Sequence, residues 1–379
     1  MHRSRNALNA GLMAGSPLFE PLALGDLTLS NRIVVAPMCQ YSAVDGCATD
    51  WHMIHLGHLA LSGAGLMILE ATGVLPEGRI TRDCLGLYSD ACETALARVL
   101  ETVRRHSAMP LAIQLSHAGR KASTLSPFAG RGRLEVEHGG WQVMGPSAIP
   151  WQPDWHMPVE MDAADLRLVR DAFVEAARRS RRLGFAAIEL HAAHGYLLSS
   201  FLSPLANQRL DGYGGTARNR ARFPLEVVSA VREVWSDRPL GVRINGTDWH
   251  PGGISPDEAV DFAGRLKEAG VDFVDVSSGG NAPVNVPLAP GYQVPFAARV
   301  RREAGIPTIV AGLIREPRHA EAIIRNGNAD MIAMARGFLN DPRWPWHAAE
   351  DLGAVVDAPK QYARALTRAG TPGPNARSS

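Results

Sequence analysis

The chain has 379 residues, 46 % hydrophobic and 20 % charged, the balance of a folded globular protein with a large core, so disordered and collagen-like readings fall away. Lys and Arg total 39 against 38 Asp and Glu, a formal net charge of +1, and no bulk field recommends nucleic acid or an anionic membrane as partner. Cys39, Cys47, Cys84 and Cys92 form no CxxC pair, which argues against a structural zinc or iron–sulfur cluster and fits a reducing cytoplasm.

Residues 1–16, MHRSRNALNAGLMAGS, carry only a short, interrupted apolar part and are expected to form a flexible leader, followed by one domain over 17–379. No run reaches about 18 consecutive apolar residues, so no transmembrane helix is expected. Residues 18–32, LFEPLALGDLTLSNR, read as a small hairpin closing the bottom of the domain. Eight short apolar runs come next: RIVVAP, GLMILEA, LAIQLS, AAIELH, LGVRIN, VDFVDVSS, PTIVAG and ADMIAMAR. Between them lie segments of helical period, such as 91–106, 165–183, 221–235, 256–269 and 316–326.

Continuously apolar strands belong to a sheet covered on both faces, and strict alternation with helices requires parallel pairing through crossovers. Eight such units predict an α/β fold, a single closed (β/α)8 TIM barrel. An open doubly wound sheet would usually show a GxGxxG turn after an early strand, and none is present. The Pro/Gly/Trp-rich stretch 121–158, inserted after strand three, is expected to be a lid or pocket wall on the face where barrel enzymes build their sites.

Those sites lie at the C-terminal ends of the strands, and here these ends are polar. Strand one ends in Pro37, Met38, Cys39, Gln40 and Tyr41; strand two in Glu70 and Ala71; strand three in Gln114, Ser116 and His117, followed by Gly119, Arg120 and Lys121. Strand four delivers His191, His194 and Tyr196, strand five Arg243 and Asn245, strand six Ser277 and Ser278. Gly312 after strand seven, with Ala335 and Arg336 after strand eight, fits the usual barrel phosphate site, although a turn glycine and a surface arginine would look the same. An Arg243 guanidinium at an inward-facing strand end calls for an anionic or electron-rich partner, and Gln114 beside it could hold the polar edge of a heterocycle, as in flavin sites.

His191 and His194 admit three readings. They could be metal ligands, but a third ligand and an HExxH pattern are lacking; they could be a satisfied core pair; or two neutral imidazoles could converge on a carbonyl oxygen, with Tyr196 delivering a proton. Cys39 would face the barrel mouth, where a thiol can touch a cofactor ring.

The segments NRIVVAPMCQYS, EATGVLPEGRI, IQLSHAGRKAS, IELHAAHGYLLSSFLSPLANQRLDGYGG, GVRIN and GFLNDPRW resemble the Old Yellow Enzyme family of FMN-dependent ene-reductases, over most of the chain. Cys39 after the strand-one methionine and the His/His pair in HAAH are similar to its thermophilic-like or xenobiotic-reductase-like bacterial branch. The resemblance implies non-covalent FMN on the C-terminal face of the barrel, contacted by Ala36, Pro37, Met38, Cys39, Ala71, Gln114 and Arg243, with Gly312, Ala335 and Arg336 at the phosphate. It implies that NADPH or NADH reduces the flavin, which then reduces an α,β-unsaturated carbonyl compound in a ping-pong cycle. His191 and His194 would hold the substrate carbonyl, Tyr196 would supply the proton and Tyr41 would touch the substrate. Arg364, in QYAR, would reach the neighbouring subunit's pocket in a homodimer or homotetramer. Ala335 stands where many members have glycine, and the leader and the 121–158 insertion are less typical. The alternative is a non-redox phosphate-binding TIM barrel, which would typically carry a Schiff-base lysine or paired carboxylates at its strand ends.

Overall fold

A computed structural model describes residues 15–130 and 132–365. Eight parallel strands close into one barrel: β1 (Ile33–Val35), β2 (Leu66–Gly73), β3 (Leu111–Ser116), β4 (Ala187–Ala192), β5 (Leu240–Asn245), β6 (Phe273–Ser277), β7 (Thr308–Val310) and β8 (Met331–Met334). Each pairs with the next in sequence, and β8 pairs with β1 to shut the ring. Every strand residue is buried, because one face of the sheet meets the helices and the other the barrel interior.

The outer helices are α1 (Asp50–Ala60), α2 (Asp90–His106), α3 (Ala163–Arg182), α4 (Arg222–Val234), α5 (Pro256–Glu268), α6 (Val294–Ala304), α7 (Pro317–Arg325) and α8 (Trp344–Leu352). Their starts are written locally: the Ser89 hydroxyl accepts from the Cys92 N–H, and Asp162 with Asp165 and Ser255 with Glu258 form capping boxes. The buried face of α4, Phe223, Val227, Val228 and Val231, follows the helical period. Helix α1 shows no such contrast, because DWHMIHLGHLA scatters histidines among apolar residues all round, and periodicity alone does not single it out. Among the described residues, no helix is long and apolar enough to cross a membrane.

Alternation along the strands separates two cores. Outward side chains such as Ile33, Met67, Ile113, Ile188, Val242 and Val274 pack beneath the helices. Inward ones, Val34, Leu66, Ile68, Ala112, Ala187, Phe273, Ile309 and Met331, fill the lower barrel. A hairpin of Leu22–Leu24 against Leu27–Leu29 adds Leu24 and Leu29 to this inner cluster, so it closes the barrel bottom with apolar side chains. Phe273 fits because its partner on β5 is Gly241, where a Cβ would lie 2.2 Å from the ring. The inserted stretch after β3 lies across the opposite face, where Trp151 Nε1 donates to Gly280 O at 2.8 Å in the loop after β6.

Gly241→Ala is therefore expected to cost about 1–3 kcal/mol through overpacking, read as a fall in thermal midpoint, with Phe273→Leu in the same chain restoring part of it. An unchanged midpoint in the single variant would contradict this account of the inner core.

Candidate active site

The same alternation that fills the lower barrel turns Gln114, Glu189, His191, Arg243, Asn245, Asp275 and Ser277 towards the upper interior, in cross-strand register: Gln114 beside Glu189, and His191 beside Arg243 beside Asp275. Gln114 Nε2 donates to Glu189 Oε1 at 2.7 Å, and Arg243 Nε lies 3.1 Å from Asp275 Oδ2. Burial, and then the Asp275 charge, push the Glu189 carboxyl up to about 8, so at neutral pH it is a protonated neighbour and the ion pair is Arg243 with Asp275. The sequence calls for an anionic or electron-rich partner at Arg243, and within the barrel Asp275 is an anionic one. The signal was an acid inside an apolar run, as in VDFVDVSS and AAIELH.

Beside Arg243 opens a cleft of about 220 Å³ lined by His194, Ser277, Tyr292, Gln293, Gly312, Ala335 and Arg336, among others. The structure thus brings the proposed phosphate residues Gly312, Ala335 and Arg336 to the same cleft as Arg243. Gly312 has φ +128° and a Cβ there would press on the Tyr292 ring at 3.2 Å, so a side chain at this position would crowd the wall. Gln293, which the sequence does not single out, orders the middle of the cleft: its Oε1 accepts from Ser278 Oγ at 2.8 Å and lies 3.2 Å from Ser277 Oγ, while its Nε2 donates to Ala311 O at 3.0 Å.

His191, His194 and Tyr196 converge. Ring centroids lie 5.0 Å apart for the two histidines and 4.8 Å apart for His191 and Tyr196. His191 Nδ1 accepts from the Ala193 N–H at 3.1 Å, which leaves the proton on Nε2. His194 holds a left-handed backbone, φ +60°, and its Nε2 lies 2.7 Å from Ser277 Oγ. Burial first, and then the Arg243 charge, hold both imidazoles well below their ordinary range, so they are neutral. The Tyr196 hydroxyl has no hydrogen-bond partner among the described residues, and burial keeps it firmly protonated. Lys121 supports this turn by donating to His194 O at 2.8 Å, with its ammonium over the Trp151 ring at 4.7 Å. Among the described residues, no three His, Cys, Asp or Glu side chains converge as a metal site.

The loop after β1 supplies the last wall. Ala36 N donates to Met334 O at 3.0 Å, the last bond of the β8–β1 ladder, and Pro37, Met38 and Cys39 follow it as loop. Ala71 lies opposite Gln114 on the neighbouring strand. A hydrogen bond with Cys84, and then burial, push the Cys39 thiol well up. Tyr41 has φ +51°, and its ring meets Phe128 of the insertion edge-on at 6.1 Å. Arg364 lies apart from these residues, exposed on the turn Lys360–Ala365. That segment is tied down by Arg343, stacked over Trp346 at 4.9 Å and Tyr362 at 5.5 Å.

These residues fit FMN. The Arg336 guanidinium makes no hydrogen bond or ion pair with any described residue, and among the described residues the Arg243 guanidinium is ion-paired with Asp275 alone, through Nε, so two cations with free donors face one cleft, one for a phosphate and one for the electron-rich edge of a flavin ring.

Residues 17–354 match the model of the NADH:flavin oxidoreductase / NADH oxidase family. The chain is 46 % identical over 349 residues to the NADPH dehydrogenase of Geobacillus thermodenitrificans (strain NG80-2), covering 92 % of this chain and 98 % of that one. Among solved structures it is similar to morphinone reductase in complex with tetrahydroNAD, with TM-score 0.74 and 29 % identity over 90 % of this chain and 92 % of that one. It shares its fold with 2-naphthoyl-CoA reductase, with TM-score 0.80 and 24 % identity over 89 % of this chain, and spans only 52 % of that larger enzyme. The non-redox barrel is thereby set aside: the chain belongs to the NADH:flavin oxidoreductase / NADH oxidase family, the Old Yellow Enzyme family, and is an FMN-dependent NADPH oxidoreductase.

Proposed function

We propose that this enzyme reduces the activated C=C bond of α,β-unsaturated carbonyl compounds, on the strength of one observation: two neutral imidazoles and a phenol, whose hydroxyl has no hydrogen-bond partner among the described residues, converge beside the cleft that fits FMN. FMN, when bound, would supply hydride chemistry between NADPH or NADH and the β-carbon of an activated alkene. Ala36, Pro37, Met38, Cys39, Ala71, Gln114 and Arg243 would hold its ring, and Gly312, Ala335 and Arg336 its phosphate. His191 donates from Nε2 to the substrate carbonyl oxygen. His194 donates from Nδ1, which requires the Ser277 hydroxyl to donate to His194 Nε2 and leaves Gln293 Oε1 to the nearer Ser278. Neutral donors polarise the carbonyl without the cost of burying an imidazolium. Tyr196, beside His191, gives its proton to the α-carbon, and Tyr41 walls the substrate. One pocket that serves NAD(P)H and the enone in turn gives ping-pong kinetics.

The exposed Arg364, held on the surface through the Arg343 stack, supports a homodimer or homotetramer in which this arginine completes the neighbouring site. Four free cysteines support a cytoplasmic location.

The visible spectrum tests the reading. The purified protein is expected to be yellow, to bleach anaerobically with NADPH and to recover on addition of cyclohexenone; a flavin reoxidised by oxygen but not by any enone would refute the substrate class. His191→Ala with His194→Ala is expected to retain FMN and its bleaching by NADPH while losing about 10²–10³-fold or more in enone reduction, the scale of an oxyanion donor. Tyr196→Phe is expected to cost about 10²–10⁴-fold in the same step, with stopped-flow flavin reduction by NADPH unchanged.

Acid stability follows from the buried imidazoles. His55 and His117 are held down to about 4, chiefly by burial, against an ordinary 6.5. The unfolded chain therefore takes up protons at pH values where the folded chain does not, and stability, full above about pH 6.5, drains away as the pH falls towards 4. Thermal midpoints that stay level from pH 8 to 7 and drop from pH 6.5 to 5, with a shallower drop in His117→Asn, are the expected pattern; a rise on acidification would contradict it.

A further inference from the structure

Strand β2 changes register between Leu69 and Ala71. Leu66 and Ile68 face the barrel interior, so plain alternation would send residue 70 there too. The bulge instead hands that inward place to Ala71, opposite Gln114, and releases Glu70 from the ladder. Its side chain, only 4 % exposed, reaches the loop after β1 and the side of α1.

There Glu70 Oε2 accepts from the Gln40 N–H at 3.1 Å, and Oε1 lies 3.4 Å from His52 Nε2. His52 Nδ1 accepts from the Thr49 N–H at 2.9 Å, so the imidazole proton is on Nε2, the nitrogen nearer the carboxylate, although the two make no hydrogen bond. Gln40 completes the brace, since its Nε2 donates to Met38 O at 2.8 Å and its Oε1 accepts from Trp51 Nε1 at 3.0 Å. The held Met38 carbonyl and the held Gln40 N–H belong to the two peptide groups that flank Cys39. With both fixed, the direction of the Cys39 side chain is fixed as well. Glu70 also acts electrostatically: after Cys84 and burial, its charge helps to push the Cys39 thiol up, and it bears on Tyr41 in the same sense.

We propose that Glu70 is a positioning residue of this enzyme: it aims Cys39 at the flavin, keeps a negative charge behind that sulfur, and through it sets the redox potential of bound FMN. The proposal rests on the placement of Cys39 against the flavin given above. A merely structural Glu70 would cement β2 to α1 and leave the flavin untouched.

A double-mutant cycle in the holoenzyme separates the two, with wild type, Cys39→Ala, Glu70→Gln and the double variant compared by visible spectrum and flavin midpoint potential. Glu70→Gln is expected to raise the midpoint potential, since the Cys39 sulfur loses the carboxylate that aims it and the negative charge that keeps it electron-rich towards the flavin, and the rise should shrink or vanish in the Cys39→Ala background. An equal rise in both backgrounds, or none in either, overturns the proposal. A Cys39→Ala variant with unaltered spectrum and potential also overturns it, and assigns the fault to the placement of Cys39 at the flavin. If Glu70→Gln lowers FMN occupancy, His52→Gln, which leaves the carboxylate in place but loosens it, takes its place in the cycle. A potential shift that depends on Cys39 supports the proposal there, and a shift independent of Cys39, or no shift, overturns it.

Discussion

A closed parallel barrel has an interior that must be filled from the strands themselves, and every second side chain of every strand is committed to it. In this protein the commitment divides by height. Below, Val34, Leu66, Ala187, Phe273 and Met331 make an apolar plug sealed by Leu24 and Leu29 of the hairpin. Above, the same alternation has nowhere to put Gln114, Glu189, His191, Arg243 and Asp275 except into the interior, next to one another. The site is thus a consequence of ring closure, with the apolar plug keeping the polar layer at the mouth.

Crowding of buried polar groups decides their charges. Two carboxyls share one guanidinium, so Glu189 keeps a proton while Asp275 pairs with Arg243. The nearby Arg243 charge, added to burial, keeps His191 and His194 neutral. A layer rich in titratable side chains therefore carries little net charge, and its free donors are the ones aimed at the cleft.

The loops above are locked to each other by close backbone approach. A Cβ on Gly195 would lie 2.0 Å from Gly280 O, and both glycines have positive φ, so the turn that carries His194 and the turn after β6 fit only without side chains. Lys121, Arg120 and Trp151 close around this contact through carbonyls of His194, Asn281 and Gly280. The insertion after β3 is tied to these turns by Lys121 and Trp151, is held together by its own cluster of Ala122, Val143 and Trp141, and contributes the pocket wall.

Much of this was legible in the amino-acid sequence. Eight apolar runs alternating with helical segments fix the barrel, because only a two-faced parallel sheet accommodates strands apolar on both sides. Polar residues at the ends of those runs mark the site, and the run from Ile188 to Gly215 carries enough pattern to identify the family. Contacts between distant loops were not legible. The pairing of Arg243 with Asp275, the ordering of the cleft by Gln293, and the turning aside of Glu70 at a one-residue register shift all depend on which strands become neighbours and in what register. A local sequence sets which way a side chain alternates, whereas its partners are set by closure of the ring, and only the folded chain brings them within hydrogen-bond distance.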